Sequence, residues 1–495
     1  MAACILTDLP RLSTGTLGRL DPRVRRPAYD RAAARAGIVH LGVGAFHRAH
    51  QAAFTDECLA AGELDWGITA ASLRSPATRD ALAPQDGLYS LALRSATEEL
   101  RVVGSIGRVL VARENPAALL DAMTAETTRI VSLTITEKGY GVDASGDLRR
   151  DDPDIAHDLA NPQTPRTALG FLVQALALRR NAGLTPFTVL SCDNLSHNGR
   201  VLHGALTAFA RARDAGLGDY VAGEVACPSC MVDRIVPATT DADRDAISAS
   251  LGVRDAWPVL AEPFFQWVIE DRFPLGRPGW ERSAVDFATD VAPYEAMKLR
   301  LLNGAHSTLA AMGRLAGHAS VAAAMSDPVI RAFVQAYWDQ VAPTVPGHID
   351  VAAYTTRLSV RFDNVALQHK LAQIATDASQ KVPPRILGPL RDLRARHTPH
   401  DALVLAIAAW MRSCEGADDA GRALSMNDPV LAEWARRPTA GMPATEAVRR
   451  WLDYSAVFGK DLAQDQMLAA GLSLALAALR DRGVIAVASD WLARR

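Results

Sequence analysis

The chain has 495 residues, a formal net charge of −2, 49% hydrophobic residues and 22% charged residues. That length is too great for one hydrophobic core and allows two to four domains, and the composition is that of an ordinary globular protein. A charge so close to neutral, with no clustered basic run, gives no field for a polyanion, so nucleic acid is not an expected partner.

The opening "MAACILTDLPRL" has no positively charged segment followed by a long apolar core. The longest apolar runs, such as "ALVLAIAAWM", are too short to span a bilayer. A cytoplasmic protein with no membrane partner is expected. Up to about residue 285, short β-rich runs ("GIVHLGVG", "WGITAAS", "LRVVGSIG", "RIVSLTIT", "FTVLSCDN") are separated by Ala/Leu/Arg helical stretches. This βαβ pattern predicts a mostly parallel sheet flanked by helices. "PQTPR" and "PLGRPGW" mark surface loops. From about residue 290 the apolar residues take helical spacing, and "DALVLAIAAWMRSC" and "QMLAAGLSLALAALRDRG" are predicted as buried helices ending near polar or Gly stops. The expected fold is therefore α/β plus all-α, with residues 1–286 as the α/β domain and 287–495 as the helical domain.

The first strand-to-helix turn is "VHLGVGAFHRAHQAAF". Gly42 and Gly44, followed by Ala45 and Phe46, match the opening of the dinucleotide fingerprint, in which glycine lets the backbone turn tightly and approach a pyrophosphate. The third glycine is replaced by His47, so a plain tight turn is the competing reading. His47 and His50 share one helix side, but no carboxylate completes a metal set locally, and packing or hydrogen bonding is expected of them. After the second strand, where NAD-binding folds usually carry a ribose-binding carboxylate, stand Arg74, Ser75, Pro76 and Ala77. Arg74 favours a 2′-phosphate if anything, so NAD is expected with NADP left open. Of six cysteines, Cys227 and Cys230 form the single "CPSC" pair. With no second CxxC for a structural zinc, small buried residues are expected and no metal.

The stretch "MKLRLLNGAHSTL" carries Lys298, Asn303 and His306, in a chain with only five lysines. On an α-helix these three fall within an arc of about 140°, with Lys298 and His306 about 12 Å apart along the axis and His306 tilted back toward Lys298. Oxidising an alcohol by hydride transfer needs a base for the hydroxyl proton and donors for the developing alkoxide. A lysine desolvated in an apolar cleft suits the first role and amide NH₂ groups the second. A snorkelling lysine beside a capping Asn and a core His is the competing account. Tyr294-x-x-x-Lys298 has the spacing of short-chain dehydrogenases, but about 250 residues separate it from the glycine turn, far more than in those single-domain enzymes.

Together, "HLGVGAFHRAHQA", "SLTITEKGY", "SCDNLSHNG", "MVDRIVP", "EPFFQWVIED" and "MKLRLLNGAHS" resemble the polyol-specific long-chain dehydrogenase/reductase family, which includes mannitol 2-dehydrogenases and fructuronate reductases. The likeness runs from about residue 36 to the C-terminus. It implies an N-terminal Rossmann-type domain, a helical C-terminal domain, an active site between them and no catalytic metal. Carried onto this sequence, it makes Lys298 the general base and Asn194 and Asn303 the two-amide oxyanion hole, with His306 completing the motif. It makes Asp233 and Lys381 binders of substrate hydroxyls, and Glu295 is placed to relay the lysine proton. Two departures bear on substrate. The arginine that mannitol dehydrogenases carry eight residues before the S-x-K-x-P lysine is Gln373 here, and Arg300 stands where those enzymes tend to a small residue. Arg385, in "SQKVPPR", looks more like the fructuronate reductases. Because arginine binds both carboxylate oxygens, Arg300 or Arg385 is the expected partner of a sugar acid. D-mannonate/D-fructuronate is the favoured pair, with mannitol/fructose or another polyol as alternative. A non-catalytic nucleotide-sensing protein is the alternative of another class. The oligomeric state, monomer or small homo-oligomer, stays open.

Overall fold

The computed structural model describes residues 9–143, 146–367, 369–425, 427–428 and 439–495. The chain divides into two units, Met1–Ala292 and Pro293–Arg495.

In the first unit, five strands form a wholly parallel sheet: β1 (Ala36–Leu41), β2 (Gly67–Ser72), β5 (Ile106–Val111), β6 (Ile130–Leu133) and β7 (Thr188–Ser191), in the order β5-β2-β1-β6-β7. Their near-continuous apolar runs follow from burial on both faces. Val39, Leu41, Val131, Leu133 and Val189 point into one core with Leu119, Phe171, Phe187 and Phe209. Ile38, Ala70, Ile130 and Leu190 point into the other, with Phe54, Trp66, Trp267 and Trp280. Helices α1 (Ala45–Ala49), α2 (Gln51–Ala60), α3 (Pro116–Thr124), α4 (Ala168–Asn181) and α5 (Asn198–Arg213) connect the strands. Strand order reverses between β1 and β6, which makes the crevice beyond their C-terminal ends the switch point of the sheet.

The run "LRVVGSIG" is not one strand of this sheet. It spans the end of β4 (Glu98–Val103), which pairs antiparallel with β3 (Tyr89–Arg94), and the start of β5. The break falls at Gly104, whose N–H donates to Asp56 (2.8 Å) and where a Cβ would lie 2.7 Å from Pro27. Strand β9 (Val259–Ala261) lies parallel beside β3. A further small sheet joins β8 (Cys230–Asp233), β10 (Gln266–Glu270) and β11 (Asp286–Ala288), with β8 antiparallel to β10. Alternation within short runs does not reveal which sheet a strand joins.

The described residues of the second unit carry helices and no ladder strand. In chain order its principal elements are α6 (Ala292–Met297), a π-helical turn Lys298–Asn303, α7 (Gly304–Leu315), α8 (Pro328–Val341), α9 (Val351–Phe362), α10 (Ala378–Val382), a second π-helical turn Pro383–Leu387, α11 (Asp401–Ser413) and α12 (Gln466–Ala493). Asp327 starts α8 by accepting from Val329 N–H (2.8 Å), with Pro328 at the first helical position, where its missing N–H costs nothing. α12 breaks at Gly483 (φ +76°), where the sequence predicted a stop, and resumes because Asp419 caps Val484 N–H (2.6 Å). α7 packs on α8 and α11, and α11 on α12. No helix among the described residues is long and apolar enough to cross a membrane.

Candidate active site

The glycine turn leaves β1 at the switch point. Gly42 has φ +98°, and a Cβ there would lie 2.1 Å from the Thr134 carbonyl, so both conformation and contact demand glycine. Gly44 caps α1, and a Cβ added to it would meet nothing nearer than the Gly42 carbonyl at 3.9 Å. Ala45 and Phe46 open α1 immediately after it. His47, in the third-glycine position, is buried and stacks on His40 with ring centroids 3.4 Å apart. His50 is packed by Phe46 and Trp267, both at 4.8 Å. Arg74 is exposed just past the end of β2.

The loop after β6 flanks the same crevice. Thr136 sits at φ +66°, ψ 163°, outside the regions a β-branched residue ordinarily occupies, a strain of about 1–3 kcal/mol. Asp193 holds it there, accepting from Ile135 N–H (3.1 Å), Thr136 N–H (2.9 Å) and the Tyr140 hydroxyl (2.9 Å). Asn194, exposed, follows in the turn after β7. Asn198 braces that turn: its amide donates to the carbonyls of Asp193 (3.0 Å) and Cys230 (2.8 Å) and accepts from Cys230 N–H (2.9 Å). Asp233, buried, ends β8. Sequence reasoning took only the asparagine from "SCDNLSHNG", although Asp193 and Asn198 in the same motif hold its turn. Cys230 donates its thiol to the Ser191 carbonyl (2.9 Å), and burial pushes the Cys227 thiol up to about 12.

In the second unit, Lys298, Asn303 and His306 lie along one element, but it is not a continuous α-helix. Lys298 through Asn303 close as a π-turn, and α geometry resumes at Gly304. An i→i+4 ladder would leave position 303 about 140° round from 298, whereas i→i+5 closure brings it back over 298. The arc expected from sequence is therefore an overestimate. Lys298 and His306 are each 8% exposed, and Glu295 is half-buried one turn before the lysine. Asn303 makes no capping bond with its side chain. The His306 Nε2 has no hydrogen-bond partner among the described residues. Burial, then the neighbouring His369, Arg361, Arg385 and Lys298, hold the imidazole well below its ordinary pKa. His369 stands edge-on at 4.9 Å and is itself pushed down to about 4 by burial and Arg361. Arg361 and His369 were not singled out from the sequence, because neither belongs to a motif and both arrive through tertiary packing.

The two arginines expected at a carboxylate differ. Arg300 donates to the Thr344 carbonyl (2.7 Å) and to Asp392 (2.6 Å). Arg385 lies half-buried on the second π-turn and donates to Ser307 Oγ (3.2 Å). Burial lowers its pKa to about 10, with Tyr337 alone opposing. Lys381 donates to the carbonyls of Ile374 (3.3 Å) and Thr376 (2.5 Å), which leaves one of its three donors. Burial first, then Arg385, lowers its pKa.

A parallel sheet with a glycine turn at its switch point, joined to a helical unit bearing a buried lysine and an imidazole, defines a two-domain dehydrogenase type. Comparison with known proteins gives the family. The mannitol dehydrogenase Rossmann domain matches residues 36–282 and the mannitol dehydrogenase C-terminal domain residues 290–480. The D-mannonate oxidoreductase of Escherichia coli K12 is 42% identical over 470 residues, covering 93% of this chain and 96% of that protein. The mannitol 2-dehydrogenase of Cereibacter sphaeroides is 43% identical over 477 residues, covering 95% and 99%. The structure is also similar to that of Pseudomonas fluorescens mannitol 2-dehydrogenase in ternary complex with NAD and D-mannitol, with a TM-score of 0.81, 40% identity and coverage of 98% and 100%. The chain belongs to the mannitol dehydrogenase family of oxidoreductases.

Proposed function

We propose that this enzyme interconverts a secondary alcohol and a ketone on a sugar acid, with D-mannonate and D-fructuronate as the favoured pair and NAD as the hydride carrier. The glycine turn fits a dinucleotide: Gly42 brings the backbone against Thr134, and the space above Gly44 is open where a pyrophosphate would approach. Bound NAD would accept the hydride. On alcohol oxidation, Lys298 takes the hydroxyl proton and passes it toward Glu295, while the amides of Asn194 and Asn303 donate to the oxygen as it becomes an alkoxide. His306, held neutral, offers its unengaged Nε2 to a substrate hydroxyl. Asp233 and the remaining Lys381 donor bind others.

The observation that carries the sugar-acid reading is Arg385. Its guanidinium is half-withdrawn from water beside Ser307, with no acidic partner among the described residues, and Arg361 and Lys298 also lie toward His306. A partly buried cation with a neutral partner favours an anion that brings its own charge. Arg300, engaged by Asp392, suits a structural role better. Mannitol and fructose remain the second reading, supported by the equal likeness to mannitol 2-dehydrogenases.

The test is a substrate panel with NADH: fructuronate, tagaturonate and fructose at matched concentration. Fructuronate should be reduced fastest. Arg385→Gln should then lower kcat/KM for the keto acid by about 2–4 kcal/mol relative to fructose, the range for a desolvated charge pair losing one member. A wild type that prefers fructose, or a substitution that damages both substrates alike, rejects the sugar-acid assignment.

A further inference from the structure

The residues that place Lys298 and Asn303 lie outside their own helix. "KLRLLN" is made of good α-formers, with neither Pro nor Gly inside it, so nothing in its composition calls for a π-turn. The cause is on α8. Tyr337, fully buried, directs its hydroxyl at the Arg300 carbonyl (3.2 Å). The adjacent Trp338 donates its indole N–H to the Leu301 carbonyl (3.0 Å). Slipping a ladder from i→i+4 to i→i+5 disturbs its carbonyl pairing, and these two neighbours meet the carbonyls in the middle of the turn.

The same hydroxyl faces the Arg385 carbonyl at 3.4 Å. That carbonyl belongs to the second π-turn, whose cause is local: Pro383 and Pro384 lack N–H donors and interrupt the α ladder. One phenol therefore bridges the turn bearing Lys298 and the turn bearing Arg385. Gly304 makes room for it. A Cβ at position 304 would lie 2.1 Å from the Tyr337 oxygen and 3.1 Å from the Arg385 carbonyl, although the Gly304 backbone is ordinary helix. Its smallness, not its flexibility, is what the packing uses.

We infer that Tyr337 is a positioning residue for the reaction: its hydroxyl, seated over Gly304, holds the Lys298–Asn303 turn and the Pro383–Leu387 turn in the register that aims base, amide and arginine at one substrate. Tyr337 touches no substrate itself. The inference rests on the proposed roles of Lys298 and Asn303.

Tyr337→Phe removes the hydroxyl and keeps the ring. Turnover should fall between about 10- and 100-fold, the scale of an ångström-level misplacement of a catalytic group. The dissociation constant of NADH should stay within about threefold of wild type, because the glycine turn proposed to meet the dinucleotide lies in the other unit. A hydroxyl with only a structural role would lower the melting temperature and leave turnover per folded enzyme unchanged, and that result overturns the inference. Gly304→Ala pushes on the same oxygen without removing it and should give the same turnover defect. Should the phenylalanine variant not fold, normal turnover in Gly304→Ala overturns the inference equally. Combining the two substitutions should cost less than the product of the separate losses, since the 2.1 Å collision goes with the hydroxyl and only the 3.1 Å approaches to the ring carbon and the Arg385 carbonyl remain, whereas independent multiplicative losses contradict a shared contact. Lys298→Ala run in parallel separates the levels. If it retains turnover, the proposed base is wrong; if it is inactive while Tyr337→Phe turns over normally, only the positioning role fails.

Discussion

At the scale of single residues, position rather than residue type decides what each charged group does. Arg300 and Arg385 both sit near Lys298 and look interchangeable in sequence, yet one is engaged by Asp392 and the other faces a serine hydroxyl. Arg300→Met should therefore cost about 1–2 kcal/mol in urea unfolding, from the lost ion pair and the unmet Thr344 carbonyl, and should affect acid and neutral substrates equally. A selective loss of acid reduction would reassign it to the substrate. Lys298→Ala should lower turnover by about 10²–10⁴, the range for removal of a positioned base, with NADH binding measured by fluorescence unchanged. Gly42 makes a different demand: alanine there meets both a φ of +98° and the Thr134 carbonyl at 2.1 Å. Gly42→Ala should weaken NADH binding together with stability, and intact binding would argue that the turn contacts no dinucleotide.

At the scale of elements, the stretch 297–309 is helical as its periodicity predicts, and Lys298, Asn303 and His306 lie along it. The π-turn inside it was not legible, because its cause lies on α8, some 35 residues on. The second π-turn was closer to legible, since two consecutive prolines cannot continue an α ladder. In the first unit, β1, β2, β6 and β7 of the parallel sheet were readable as β-rich runs while β5 was not, and the glycine turn followed from its place between strand and helix. The β3–β4 hairpin was missed because "LRVVGSIG" reads as one β-rich run, and the bend at Gly104 depends on Pro27 and Asp56, both distant in sequence.

At the scale of the whole molecule, three buried histidines and the half-buried His369 make stability depend on pH. Burial pushes His40 down to about 3 and His369 to about 4, and His47 and His306 lie well below the ordinary value. The folded state then binds fewer protons than the unfolded chain below pH ~6.5, so stability is full above that value and is lost as pH falls toward 4. Asp56 and Asp193, raised by burial, oppose this at the acid end. The unfolding free energy from urea titration should fall steadily between pH 7 and pH 5, by up to about 1.4 kcal/mol per pH unit for each histidine, and the midpoint with it. His369→Gln should flatten part of that slope, and a midpoint independent of pH would show that the rings are not held neutral.

The amino-acid sequence by itself determined what depends on local pattern: a parallel α/β unit followed by a helical one, a glycine turn between first strand and first helix, and a lysine, amide and imidazole along one helical stretch. Hydrophobic period and turn chemistry act over a few residues, so they can be read without a fold. Tertiary structure alone decided the rest. It bends the lysine's helix into a π-turn under Tyr337 and Trp338, gives Arg300 to Asp392 while setting Arg385 beside Ser307, and brings Arg361 and His369 to His306. Those outcomes are set by burial and by partners far away in sequence, because a charge or a carbonyl withdrawn from water takes whatever the fold sets beside it.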